Sequence, residues 1–133
     1  MGQLMPLLRD NLTDQRTDAV DMGKFHEVMV VFMIGATDTT VDCNVKESPL
    51  SGGAYTLLSG KSALPLGGSD DNKIIVINVK SEELSPGMQF IKGEIDVGDG
   101  TTGANTAVLV LGMRPRFAPA SEDDLAAVTQ ILT

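Results

Sequence analysis

The chain has 133 residues, the length of a single domain that buries enough surface to fold without disulfides or a structural metal. Hydrophobic residues make up 42% and charged residues 21%, which excludes wholesale disorder. The net charge of −8 argues against direct nucleic-acid binding, which depends on Lys and Arg neutralising phosphates. One Cys rules out an intramolecular disulfide framework and any zinc site needing two thiolates from one chain. The longest apolar run, Val28 to Ile34, is far short of the ~20 residues that span a bilayer. No secretory signal is expected, because Arg9 and Asp10 interrupt the N-terminal stretch early.

Residues 1–20 mix polar residues with Leu4, Leu7, Leu8 and Leu12, and Pro6 interrupts any helix there. This stretch is expected to be an extended arm. Its leucines either dock on a neighbouring subunit or simply cover their own domain, as terminal segments often do. Residues 21–133 form the domain proper. From residue 21 the pattern changes to period two with β-branched enrichment, the mark of strands.

Strands are expected over Phe25–Ile34, Thr40–Glu47, Ala54–Leu58, Lys73–Val79, Met88–Val97 and Asn105–Gly112. Between them lie turn clusters: Ser48 to Gly53, Leu66 to Asn72, Ser85-Pro86-Gly87, and Gly98 to Gly103. Short strands with no intervening helical pattern predict a mainly β fold, an antiparallel β-sandwich or jelly-roll-like body. At the end, Ser121 as N-cap, acidic Glu122, Asp123 and Asp124, and then Leu125, Val128 and Ile131/Leu132 at helical spacing predict a short C-terminal helix over 121–132. A helix this short must rest its apolar face on something.

Three runs break the alternation that a half-solvated sheet requires: Val28–Ile34, Ile74–Ile77 and Ala107–Leu111. Both faces of these strands are apolar. The arm, the C-terminal helix or another subunit must cover the outer face, and a homo-oligomer is expected. Leu4, Leu7, Leu8, Leu12, Leu125 and Val128 are the candidate partner-contact residues.

Catalytic chemistry finds little footing. His26 is the sole His and has no nucleophile or second base near it in sequence. Cys43, between Val41 and Val45, reads as a buried hydrophobe. Asp70-Asp71-Asn72 and Asp96 to Gly100 lack the spacing of an EF-hand loop, so solvated turns explain them better than calcium. Glu82-Glu83 has no apolar surround to raise a pKa. No catalytic residue, metal ligand or cofactor is expected.

The tract VDMGKFHEVMVVFMIGATDTTVDCNVKES from Val20, the segments Gly60-Lys61-Ser62 and Asp70 to Lys73, and the close Leu111 to Ser121 resemble small virion proteins of tailed bacteriophages. The resemblance covers about residues 20–133 and leaves the arm outside. It implies a capsid-associated decoration or cement protein, made in the host cytoplasm and carried on the capsid surface, with the major capsid protein as partner. Another head or tail structural role is the neighbouring reading. A β-sandwich module binding a host-surface glycan is weakened by the absence of Trp and a lone Tyr55, and a cupin-like enzyme by the single His.

Overall fold

The computed structural model describes residues 2–9, 12–63 and 65–116. It is mainly antiparallel β, with nine strands: β1 (Gly2–Arg9), β2 (Leu12–Arg16), β3 (Val20–Asp21), β4 (Phe25–Thr37), β5 (Val41–Ser48), β6 (Thr56–Ser62), β7 (Lys73–Lys80), β8 (Phe90–Val97) and β9 (Ala104–Pro115). One turn of 3₁₀ helix, Ser81–Glu83, follows β7.

Sheet A runs β1-β9-β4-β7 and sheet B runs β2-β8-β5-β6, with β3 extending the pairing along β8. All pairings are antiparallel. Strands far apart in sequence are partners: β1 with β9, β2 with β8, β4 with β7 and β5 with β6. The chain is thus one long hairpin, folded over so that its two halves alternate between sheets.

The inner faces of both sheets meet in one core. From sheet A come Val28, Val30, Phe32, Ile34, Val79, Val108 and Val110; from sheet B come Val41, Cys43, Val45, Leu58, Ile91, Ile95 and Val97. Gly93 marks a close approach of the two sheets, because a Cβ there would lie 2.9 Å from Val108 Cγ1 and 3.0 Å from Val30 Cγ1. Any side chain at 93 would push the layers apart. Gly112 makes room in the same way for the Phe25 ring, which a Cβ would strike at 2.2 Å.

The expected strands from β4 onward are all present, with ends shifted by a few residues. The Pro86-Gly87 turn also forms: Met88 N–H donates to Ser85 O at 3.0 Å, and Gly87 takes a φ of 85° that favours glycine.

The N-terminal segment differs from the extended arm expected for 1–20. Gly2–Arg9 and Leu12–Arg16 are strands built into the two sheets, β1 on β9 and β2 on β8. Pro6 does not prevent this, because the β1–β9 register shifts between Leu4 and Leu7 and β1 lies at the edge of sheet A. Proline is tolerated at edge strands and bulges, where its missing N–H leaves no ladder bond unmade. The helix expected over 121–132 lies outside the described residues.

Candidate interaction surface

The two outer faces have opposite chemistry. On sheet B, Asp42 stands opposite Asp96, Asn44 opposite Glu94 and Lys46 opposite Lys92. Glu94 is only 3% exposed, and it is held by Arg16 Nε at 2.6 Å and Lys46 Nζ at 2.8 Å. Lys92 Nζ lies 4.7 Å from the centre of the Tyr55 ring, and Ser62 Oγ donates to Asn44 Oδ1. This is a cross-linked polar face whose side chains are half-buried or, at Glu94, buried.

On sheet A the three runs that fail to alternate prove to be neighbours. β9, β4 and β7 lie side by side, and their outward residues fall into register: Leu111–Met29–Asn78, Leu109–Val31–Val76 and Ala107–Met33–Ile74. Asn78 is the sole polar residue in these three rows, and none is charged. Three separate anomalies of the sequence are therefore one surface.

The exposure of that surface is uneven. Met29, Val31, Leu109 and Leu111 are half-buried, whereas Ile74 is 67% and Val76 50% exposed. The other large, exposed apolar residues among those described are Met33, Leu50 and Leu57. Leu57 is on β6, and Leu50 is in the connection that leads to it. β6 and β7 are the edge strands of the two sheets, and they close the same side of the molecule: Lys61 Nζ donates to Asn78 O at 2.6 Å and pairs with Glu83 at 2.9 Å. Ile74 and Val76 stand on the outer face of sheet A, whereas Leu57, paired with Lys46, stands on that of sheet B. Lys73 and Lys80 stand at the two ends of β7, and no charge lies between them. Terminal lysines restrain edge-to-edge pairing; the uncharged interior leaves a surface suited to contact.

The residues singled out in the sequence scatter. Leu4, Leu7 and Leu8 pair through their backbones with Val108, Thr106 and Asn105 of β9, and Leu12 with Val97 of β8, so their strands belong to this chain's own sheets. Leu125 and Val128 lie outside the described residues. His26 is exposed at the start of β4. Cys43 is fully buried, and desolvation, helped by the Asp42 charge, pushes its thiol up to about 12.

The acidic turns are used structurally. Asp70 Oδ2 accepts the Gly67 N–H at 2.8 Å, and Asp71 Oδ1 accepts the Thr37 N–H at 2.8 Å. Glu83 accepts the Lys80 N–H at 2.7 Å, which with Lys61 holds its carboxyl below the usual range. Asp38, not singled out in the sequence, accepts from the N–H groups of Thr101, Thr102 and Gly103. Among the described residues no group of three His, Cys, Asp or Glu is placed to hold a metal ion.

Two clefts open at opposite ends of the sheets. One, of about 500 Å³, is lined by Met22, Leu84, Met88 and Arg116 among others. The other, of about 320 Å³, contains Asp38 and Asp71, both engaged with backbone donors.

Leu50 and Leu57 were missed by sequence reasoning: Leu50 falls in a turn cluster, and a strand as short as Ala54–Leu58 does not tell which of Leu57 and Leu58 faces outward. Ile74 and Val76 were visible in the broken alternation. No protein-family model and no curated protein matches the sequence.

Proposed function

We propose that this chain is a structural virion protein of a tailed bacteriophage, which decorates or cements the capsid shell by contacting the major capsid protein and neighbouring copies. The observation that carries this reading is the set of exposed apolar side chains on the edge strands β6 and β7. Ile74 and Val76 on the outer face of sheet A, and Leu57 on that of sheet B, give apolar contact points on both sides of this edge, and burying each side chain fully is worth about 1.5–3 kcal/mol. Many such modest contacts on one particle gain by avidity.

The strand order supports the finer fold reading. Two sheets of four and five strands, in which β1 pairs with β9, β2 with β8, β4 with β7 and β5 with β6, follow the jelly-roll pattern that viral capsid proteins share with lectins and cupins. Fold alone does not choose among these functions. The resemblance of residues 20–133 to phage virion proteins favours the first. The protein is then a non-enzymatic homo-oligomer on the capsid surface.

The test is co-sedimentation with capsids of the phage that encodes it. Ile74→Lys with Val76→Lys, and separately Leu57→Lys, should weaken binding at least ~10-fold. The melting temperature should stay within a few degrees, because the replaced side chains are solvent-exposed. Absence of binding by the unaltered chain, or unimpaired binding by both variants, overturns the reading.

A further inference from the structure

We propose that β7 is a pairing edge for a second copy of this chain: two β7 strands run antiparallel about a two-fold axis at Ile75, so that Ile74 of each copy stands opposite Val76 of the other. This goes beyond the virion reading, since it concerns the free chain and needs no capsid.

The first argument compares the edges. The sheets end on β1 and β7 in sheet A and on β2 and β6 in sheet B, with the two-residue β3 continuing the β2 edge along β8. An open edge invites another strand, and proteins blunt it with bulges, prolines or inward charges. β1 carries Pro6 and a register shift between Leu4 and Leu7, and β2 shifts between Leu12 and Gln15. β6 is the most broken, because Leu58 to Lys61 stand against Val45 alone, and Gly60 takes a φ of 74°. β7 has none of these devices. Its residues Lys73 to Lys80 pair one for one with Ile34 to Glu27 of β4, and it holds no proline and no charge between its terminal lysines.

The second argument fixes the stretch. Near the end of β7, Lys61 Nζ donates to Asn78 O at 2.6 Å, and Lys80 N–H donates to Glu83 at 2.7 Å. Among the described residues no side chain bonds to the backbone over Lys73–Ile77. Ile75 is the midpoint of that stretch. On either side of it stand Ile74 and Val76, 67% and 50% exposed.

The third argument is self-complementarity. A two-fold contact sets a strand against its own reverse, and β7 has lysine at both ends and apolar residues through its middle in either direction. Directly opposite residues in an antiparallel pair share a face. Outer face therefore continues into outer face only when even positions meet even ones. Lys73 and Lys80 differ in parity, so the like charges never stand opposite each other. With the axis at Ile75, Ile74 meets Val76 of the second copy on the outer face. On the inner face Ile75 meets its own counterpart, and Lys73 meets Ile77. Five paired residues are a small contact beside the ~800 Å² per partner of a stable complex. The pair is therefore weak in dilute solution and strengthens where copies are crowded.

The test is disulfide trapping in an equimolar mixture of full-length Ile74→Cys and Val76→Cys, oxidised with glutathione disulfide at high micromolar concentration. Cys43 is fully buried and stays out of the reaction. Opposite residues have Cα atoms about 4.5–5.5 Å apart, inside the ~4.4–6.8 Å that a disulfide bridges. Two copies of the same variant hold their thiols two residues out of step, with Cα atoms about 8 Å apart at ~3.4 Å per residue. Intact mass separates the dimers, because the two variants differ by one methylene. The mixed dimer should exceed the two like dimers together at least ~5-fold, whereas random collision gives equal amounts. Equal amounts, or an excess of either like dimer, overturn the proposal. So does the absence of any disulfide dimer, which leaves this edge to a strand of a different protein.

Discussion

Cys43 shows at the scale of one residue how burial turns a reactive group into packing. It alternates with Val41 and Val45 on the inner face of β5, and nothing of it reaches solvent. Desolvation opposes the thiolate, and the neighbouring Asp42 charge opposes it further, lifting the thiol to about 12 from 9.0. The sign of the linkage follows. Below pH 9 the thiol is neutral in both states and contributes no pH dependence. Above it the unfolded chain releases a proton that the folded chain retains, so stability falls by about 1.4 kcal/mol per pH unit until the folded thiol also ionises. Denaturant midpoints between pH 8 and 11 should fall more steeply for the unaltered protein than for Cys43→Ala. That variant itself should cost about 1 kcal/mol at pH 7. Parallel pH profiles would show that the thiol is accessible. The period-two pattern made this burial legible in sequence; the structural use of Asp38 was not, because its partners are backbone N–H groups more than sixty residues away.

At the scale of elements, Asp38 ties the β4–β5 turn to the β8–β9 loop. One carboxylate receives the N–H groups of Thr101, Thr102 and Gly103 at 2.7–2.9 Å and the Thr102 hydroxyl at 3.0 Å. The Thr102 N–H is the largest influence holding its pKa below the usual 3.8, with the Thr102 hydroxyl and the other two N–H groups adding to it. A lowered carboxylate pKa means that the tie is intact at neutral pH and is lost as pH falls through the lowered value. The three amide chemical shifts should therefore titrate together, with a midpoint below 3.8, and Asp38→Asn should remove that titration. A common midpoint above 4 would mean that the loop is not held this way. The strands this loop joins were readable from alternation and turn residues, including the Pro86-Gly87 turn. Their order was not, because a nested hairpin pairs residues that are distant in sequence and period two says nothing about partners. The broken alternation of β4, β7 and β9 pointed to a covered surface, but only the register brings the three runs into one.

The whole molecule turns on its first sixteen residues. In sequence they look detachable, since apolar residues are sparse after Leu12 and Pro6 interrupts regular structure. Edge strands tolerate such a sequence because they need one partner strand and one apolar face, and the bulge between Leu4 and Leu7 accommodates the proline. In the fold, β1 supplies the outer partner of β9 and β2 that of β8. Arg16 adds one of the two cations that hold the buried Glu94. A chain lacking residues 1–16 therefore loses two ladders, exposes the edges of β8 and β9 and leaves Glu94 with Lys46 as its remaining ion-pair partner. Ladder bonds contribute about 0.5–1.5 kcal/mol each, so the deletion should cost on the order of 5 kcal/mol or more. For a domain of this size each kcal/mol moves the melting temperature by roughly 3–5 °C, and a fall of more than ~15 °C, or outright aggregation through the open edges, is expected. Circular dichroism melts and sedimentation of the deleted chain measure both. A melting temperature within a few degrees of the full chain would mean that β1 and β2 are a dispensable arm, free to reach another subunit, and that the remaining strands suffice for the core.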